Sequence, residues 1–427
     1  MSISVRLLRW TRRCSRSWPG WLRVTVAVVI SGVLSGLIGA VLALMLRWVQ
    51  HLAYGSSVTT ILEAEAAPPW RRVLAPAVGA LLCGLVWWWT RRRRTTGVEA
   101  AVALRPRRLR VGSSLLEAAN QIVLVGTGAS IGRETAPRLA AAAFGSVTSS
   151  ALGLSVRWRR LVVAAAAGAG LGTVYNVPLA GAVFTLEILA VGFTRSSVVI
   201  ATAVSAIAVL TSWPILGAAP TFLFPAGPVE PAVWAWALVV AAPAAGLGLW
   251  FNQLLRWGTR MRPRNDWHLP AAMTAVGLAT GVLSIWLPAL PGNGKGIVQE
   301  ALAASGTVLT FAALMLLKPL TTAATHASGA TGGFLAPSLG TGAAFGATVA
   351  LLGHAAGQDW SVPAFALVAA VAMLATTQRA PWFAAAFGWE LARPPWELAV
   401  PLLLAAWLAA LIAGRWTSGR WGKGLRL

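Results

Sequence analysis

Charge is scarce along these 427 residues, and negative charge scarcest of all. Asp, Glu, Lys and Arg together make up 11% of the chain, and only 12 residues are acidic. A soluble globular protein carries about twice that share of charge. Cysteine is nearly absent. Cys14 and Cys83 fall on a basic segment and inside an apolar run, so no disulfide framework is expected. The four histidines are scattered, which leaves no metal-ligand spacing to read. No nucleophile–base set accompanies the apolar segments, which argues against a membrane-embedded enzyme and against any cofactor. A cation carrier would want several intramembrane carboxylates, and here only Glu134, Glu187 and Glu390 lie within apolar motifs.

What the chain has instead is apolar surface. Hydrophobic residues make up 57% of it, and uncharged stretches recur at 24–46, 161–186, 196–229, 231–255, 319–358 and 398–414. Each approaches or exceeds the roughly 17–25 residues that cross a bilayer as a helix. The 23 tryptophans, many beside arginines, suit interfacial belts. The formal charge of +23 raises the question of nucleic acid, but the basic residues come in short runs between apolar segments. Those runs are Arg6 to Arg23, Arg91 to Arg94, Arg105 to Arg110, Arg157 to Arg160 and Arg256 to Arg264. That is the positive-inside pattern of a multi-pass cell-membrane protein, with no nucleic-acid partner. It places the N-terminus and the 91–110 segment in the cytoplasm and the loop with Glu63 and Glu65 outside, joined by crossings at 24–46 and about 73–90. Both termini are expected to be cytoplasmic, and no cleaved signal peptide is expected.

The chain also repeats itself. GRETAP (Gly132 to Pro137) and GGFLAP (Gly332 to Pro337) lie 200 positions apart, each after a small-residue lead-in. Both run on to a Phe-Gly pair, Phe144-Gly145 and Phe345-Gly346. NVPLAGAVFTLEIL (Asn176 to Leu189) parallels RAPWFAAAFGWELA (Arg379 to Ala392), with nine residues from Pro178 to Glu187 and nine from Pro381 to Glu390. Matching Gly and Pro breaks in two hydrophobic halves point to inverted repeats whose broken helices meet near the midplane. The expected organisation is a basic segment at 1–19, a first repeat at 20–212, a connection at 213–229, a second repeat at 230–415 and a basic tail at 416–427.

Such breaks carry chemistry. A helix's first amides point beyond its end, and the helix dipole adds partial positive charge there. Two such starts facing one another make an anion cage without a full positive charge, from which an anion is still released. Glu134 then has a role. Its carboxylate is an anion tethered beside an anion site, able to occupy the cage when ionised and leave it when protonated.

On these residues the chain resembles the CLC family of chloride channels and chloride/proton antiporters. GRETAP, NVPLAGAVFTLE (176–187) and SGATGGFLAP (328–337) correspond in order to family motifs, and LLKPLTTAAT (Leu316 to Thr325) precedes the third as in bacterial members. The resemblance covers about residues 20–415. It implies an all-α, polytopic fold of about eighteen broken, tilted helices, a homodimer with one pore in each subunit, and chloride as the bound substrate. It is closest to members without cytoplasmic nucleotide-binding modules, and none is expected here. It also implies that Glu134 is the gating glutamate and that the amides of Phe334 and Leu335 hold the central anion beside Arg133. Thr96 and Gly97, in TTGVE, stand for a hydroxyl-bearing motif at the cytoplasmic entry, although Glu99 occupies its proline position.

Two departures bear on mechanism. In the antiporters an inward-facing glutamate relays protons. That position is Ile188 here, and Glu187 is its neighbour. Treated as an α-helix, the segment turns Glu187 about 100° away. A proton path from Glu134 through Glu187 is therefore weakened. The family's pore tyrosine belongs near the C-terminus, where this chain offers Thr417 or Ser418. The expectation is a channel-like or weakly proton-coupled anion transporter. A tightly coupled antiporter and a member that folds without conducting stay open beside it.

Overall fold

A computed structural model describes residues 17–55, 67–91, 98–102, 109–189, 191–225, 227 and 229–418. Ordered secondary structure in them is helical apart from one isolated backbone bridge. The elements are α1 (Gly20–Tyr54), α2 (Pro69–Thr90), α3 (Val98–Val102), α4 (Val111–Gly126), α5 (Thr135–Ala151), α6 (Val156–Tyr175), α7 (Pro178–Val183), α8 (Arg195–Leu216) and α9 (Ala232–Val239). They continue with α10 (Ala241–Arg260), α11 (His268–Leu283), α12 (Lys295–Leu302), α13 (Val308–Ala327), α14 (Leu335–Ala355), α15 (Val362–Gln378), α16 (Pro381–Ala392) and α17 (Ala399–Ser418). Among the described residues, six helical segments are long and apolar enough to cross a membrane, or seven if α9 and α10, bent by 44°, count as one. Helix is the expected solution for such runs, because a lipid-exposed chain must satisfy its backbone groups within the segment.

The uncharged stretches are not all single helices. The 161–186 run is cut after α6 by Asn176, whose left-handed backbone (φ 56°) ends the helix, and by Pro178, which opens α7. The matching position of the second half has the same conformation: Arg379 (φ 54°) ends α15 and Pro381 opens α16. Likewise α5 and α14 both start two residues before a proline, Pro137 and Pro337. Matching sequence in the two halves thus yields matching breaks.

The chain divides into two compact units. The first comprises residues 1–44, 93–119 and 134–219. In it α6 is the central helix, packed by α5, α7 and α8. Its AAAAGAGLG segment is buried, and small residues let neighbours approach closely. At Gly170 a methyl group would lie 2.5 Å from the carbonyl oxygen of Pro137, so α5 packs against α6 at a distance that only glycine permits. The second unit comprises residues 45–92, 120–133 and 220–427. There α14 packs on α13 and α15, and α2 on α11. Phe251, Leu255, Ala323 and Met373 form a core cluster against which Phe334, the residue before α14, is packed.

Candidate functional site

Within the second unit, the residues just before Glu134 and those before α14 are joined by backbone. Gly132 donates to the carbonyl of Gly333 at 2.7 Å, and Gly333 donates back to Gly132 at 2.9 Å. This antiparallel pair is the isolated bridge of the fold. The two motifs singled out by the repeat therefore meet, though one residue off the strict repeat register, which would have matched Gly132 with Gly332. A methyl group on Gly332 would lie 2.7 Å from the Ile131 side chain, so the loops touch closely here.

Several buried or half-buried groups hold this junction. The Ser130 hydroxyl lies 3.0 Å from that of Thr321 and 3.1 Å from that of Thr322, both on α13. Tyr54 donates to the carbonyl of Thr127 at 2.9 Å. Arg91 donates to the Gly329 carbonyl at 2.6 Å and to the Thr331 hydroxyl at 2.9 Å. Lys318, wholly buried on α13, donates its ammonium to the carbonyls of Leu290 (2.8 Å) and Gly292 (2.6 Å). Gly292 in turn donates to the carbonyl of Gly128, within the first motif's lead-in, at 2.9 Å. The loop that Lys318 ties down packs against α14. Gly294 has φ 91°, and a methyl group there would lie 3.0 Å from the Ala336 carbonyl in the first turn of α14. Lys318 thus supports the position of the α14 start from behind.

α14 begins at Leu335, with Phe334 (φ −126°, ψ 2°) as the residue that turns the chain into it. The first turn of such a helix aims N–H groups and the positive end of its dipole beyond its start. Phe334 is held by the edge of the His326 ring, with centroids 5.0 Å apart. His326 is itself fixed by Thr259 and Arg262, each 2.9 Å from a ring nitrogen. Lys295, which opens α12, lies close enough to Arg133 and Arg47 to feel their charge. Burial, and then those two guanidinium groups, lower its ammonium to about 8. Positive charge therefore gathers beside the GRETAP loop.

In the first unit, Glu134 is wholly buried at the start of α5, with helical backbone angles and no capping bond from its own side chain to that helix. The Tyr175 hydroxyl, at the end of α6, donates to Glu134 Oε2 across a long 3.4 Å. Arg138 of α5 stacks its guanidinium 4.4 Å over the Phe184 ring, which ties the GRETAP helix to the NVPLAG motif. Glu187 lies in a π-helical turn, Phe184–Ile188, that continues α7. A π turn carries an extra residue, so the rotation between neighbours is somewhat smaller than in an α-helix, and Glu187 and Ile188 still face different ways. Both side chains are half-buried.

Thr96 and Gly97 lie outside the described residues, and so does the side chain of Glu99. Thr417 and Ser418 bond carbonyls of their own helical turn, Ala413 and Arg415. Among the described residues no group of three His, Cys, Asp or Glu could hold a metal ion.

Sequence reasoning passed over Tyr175, Arg138 and Lys318 as site residues. For Lys318 the signal was there, since it is the only charge between Glu300 and Asp359. Tyr175→Phe removes the hydroxyl that favours the ionised form of Glu134. The external-pH profile of anion flux is expected to move upward by a few tenths of a pH unit with its plateau unchanged, since a 3.4 Å bond is weak. Flux measured from liposomes at stepped external pH checks this, and an unmoved midpoint would mean that the hydroxyl does not act on Glu134.

The chain is similar to known proteins along most of its length. A family model described as voltage gated chloride channel matches residues 79–414. A ClcB-like chloride channel protein of Ralstonia nicotianae is 34% identical over 404 residues, spanning 87% of this chain and 91% of the relative. The voltage-gated ClC-type chloride channel ClcB of Salmonella typhi is 27% identical over 338 residues, 76% of this chain and 79% of its own. Among solved structures, a slow cyanobacterial Cl−/H+ antiporter superposes with a TM-score of 0.78 at 22% identity, covering 92% of this chain and 94% of the other. A CLC-type fluoride/proton antiporter superposes with a TM-score of 0.71 at 18% identity, covering 92% and 95%. Those two likenesses establish the fold.

Proposed function

The chain belongs to the voltage-gated chloride channel (CLC) family, hence is a multi-pass membrane anion transporter and not an enzyme, and we propose that it carries chloride or a similar small anion through a pore in each subunit of a homodimer, gated by Glu134 and only weakly coupled to protons. The observation that carries the reading is the reciprocal backbone pair between Gly132 and Gly333, which brings the lead-ins of both repeat motifs to one place. The chemistry of that place is amide-rich and glycine-rich, with Lys295, Arg133 and Arg47 supplying positive potential nearby. The central anion is held by N–H groups of Phe334 and Leu335, an arrangement that stabilises a desolvated anion without locking it in place. Thr96 and Gly97 line the cytoplasmic approach. The basic runs set the orientation in the cell membrane, with both termini in the cytoplasm.

Weak coupling follows from Ile188. A relay from Glu134 to the cytoplasm needs a protonatable side chain or ordered water, and an isoleucine supplies neither. Glu187, in its π turn, is the residue left to carry protons. The relatives named chloride channels and the antiporters of like fold stand on the two sides of this question. Purified protein in liposomes, with a chloride gradient and a pH electrode, decides it. The expected result is chloride efflux with a proton flux well below any fixed stoichiometric ratio. Uphill proton movement in constant ratio to chloride would establish a tight antiporter, and no efflux at all would identify a member that does not conduct.

A further inference from the structure

A second basic site lies in the first unit, away from the motif residues. A cavity of about 360 Å³ opens to the surface between the starts of α6 and α8. Val156, Arg157 and Arg160 line it from α6, and Thr194, Ser196 and Ser197 from the start of α8. Among the described residues no carboxylate lines it. The volume is at the small end of ligand pockets, enough for a phosphate ester but not a large cofactor.

The groups around it are arranged for an anion. Arg160 gives its Nε to the carbonyl of Val102, which fixes the plane of the guanidinium, and its two terminal nitrogens make no hydrogen bond among the described residues. Arg157 lies 5.4 Å from the Trp158 ring centroid, a contact that holds the side chain without using its donors. On the other wall, a reciprocal capping box holds the α8 start rigid. Thr194 accepts from the Ser197 amide at 3.2 Å, and the Thr194 amide donates to the Ser197 hydroxyl at 2.9 Å. The hydroxyl of Ser196 makes no bond among the described residues. The α6 start has no side-chain cap, since Ser155 makes none. Two helix starts therefore face one cavity with two arginines and a hydroxyl donor.

The surroundings are apolar. Phe193 is 59% exposed and Val156 57%, and Val198 and Val199 continue the exposed surface along α8. A chloride ion would leave most of this volume empty, and a purely polar solute would leave the apolar rim uncovered. A phosphoryl group, with several acceptor oxygens, matches two guanidinium forks, and helix starts favour its charge.

We propose that this cavity is a phosphoryl-binding site distinct from the transport path, in which Arg157, Arg160 and Ser196 hold a phosphate oxygen cluster. The apolar rim favours the headgroup of an anionic phospholipid lying along α8. The same donors would take a free phosphate ion, so the test has an arm for each source.

In the first arm, the protein is extracted from bilayers of phosphatidylcholine with phosphatidylglycerol, and the lipids it retains are counted by native mass spectrometry. One phosphatidylglycerol held per chain is expected, with occupancy falling at least tenfold in Arg157→Gln/Arg160→Gln and in Ser196→Asp, which puts a carboxylate into the cavity. Arg157→Lys/Arg160→Lys keeps the charge but loses the fork, and an intermediate loss is expected. Arg415→Gln, an exposed arginine in the last turn of α17, should change nothing. In the second arm, inorganic phosphate at constant ionic strength is added to detergent-purified protein and the melting temperature is followed. A response lost in the same variants, without lipid retention, assigns the site to free phosphate. If the double glutamine variant does not fold, Ser196→Asp decides, because Ser196 is only half-buried. Lipid retention and phosphate response both unaffected by these variants, or reduced equally by Arg415→Gln, would overturn the proposal.

Discussion

Glu134→Ala is expected to raise anion flux at neutral external pH to about the level that the unmodified protein reaches in acid, and to remove the dependence on external pH between those conditions. The reasoning is competitive. On the proposed reading, an ionised Glu134 carboxylate at the start of α5 competes for N–H donors of the kind that would hold a permeating anion. A hydrogen bond to a charged group contributes about 1.5–3 kcal/mol, and each 1.4 kcal/mol is a factor of ten in occupancy. Removing the competitor should therefore raise flux at pH 7 by roughly tenfold. Protonation has the same effect in the unmodified protein, because the neutral acid binds such donors weakly. Glu134→Gln should behave like the protonated state and match Glu134→Ala in sign. One pH dependence should survive in both variants. Lys295 is lowered to about 8 by burial and by Arg133 and Arg47. It is charged below that value and neutral above it, so the attraction for anions falls as pH rises past about 8. Lys295→Gln in the Glu134→Ala background should remove that remaining slope. The measurement is chloride efflux from liposomes at external pH from about 4.5 to 9.5. Equal flux and equal pH profile in Glu134→Ala and the unmodified protein would remove Glu134 from the gate.

Lys318→Met is expected to destabilise the second unit by about 3 kcal/mol. Methionine keeps the length and apolar stem of lysine, so the cavity term is small. What is lost is the donor to the Leu290 and Gly292 carbonyls. Each buried carbonyl left without its partner costs about 1–3 kcal/mol, and relief from burying an ammonium offsets part of this. The loss should also reach transport. The 290–294 loop packs on the first turn of α14 through Gly294, and Gly292 is bonded to Gly128 ahead of the Gly132–Gly333 pair. A loosened loop leaves the amides at Phe334 and Leu335 less well placed, so anion affinity should fall along with stability. Thermal unfolding in detergent reads the first effect and flux against chloride concentration the second. Lys318→Arg separates charge from fit, since it keeps donors but needs more room. A melting temperature unchanged in Lys318→Met would show that the ammonium is not a structural tie.

By itself the sequence determined that this is an all-helical membrane protein, where its breaks lie, and that Glu134 is out of place unless it has a function. Those properties are local. A run without charge is helical in lipid, a clustered Gly and Pro motif opens a new helix within it, and a carboxylate in such a run stands out whatever surrounds it. The family was legible for the same reason, since its motifs are short and contiguous. The contacts between distant segments were decided by tertiary structure. The Gly132–Gly333 pair lies one residue off the register that the repeat predicts, because backbone pairing follows the shape of two packed loops and not the alignment of their side chains. Tyr175 lies within reach of Glu134 across 41 residues, and Lys318 donates to carbonyls 26 and 28 residues away, relations that no local pattern encodes. The π turn at Phe184–Ile188 is likewise a product of packing, since nothing in FTLEI marks it apart from ordinary helix. Helix propensity acts over a few residues, whereas the position of each of these groups within its unit depends on which faces of separate helices are pressed together.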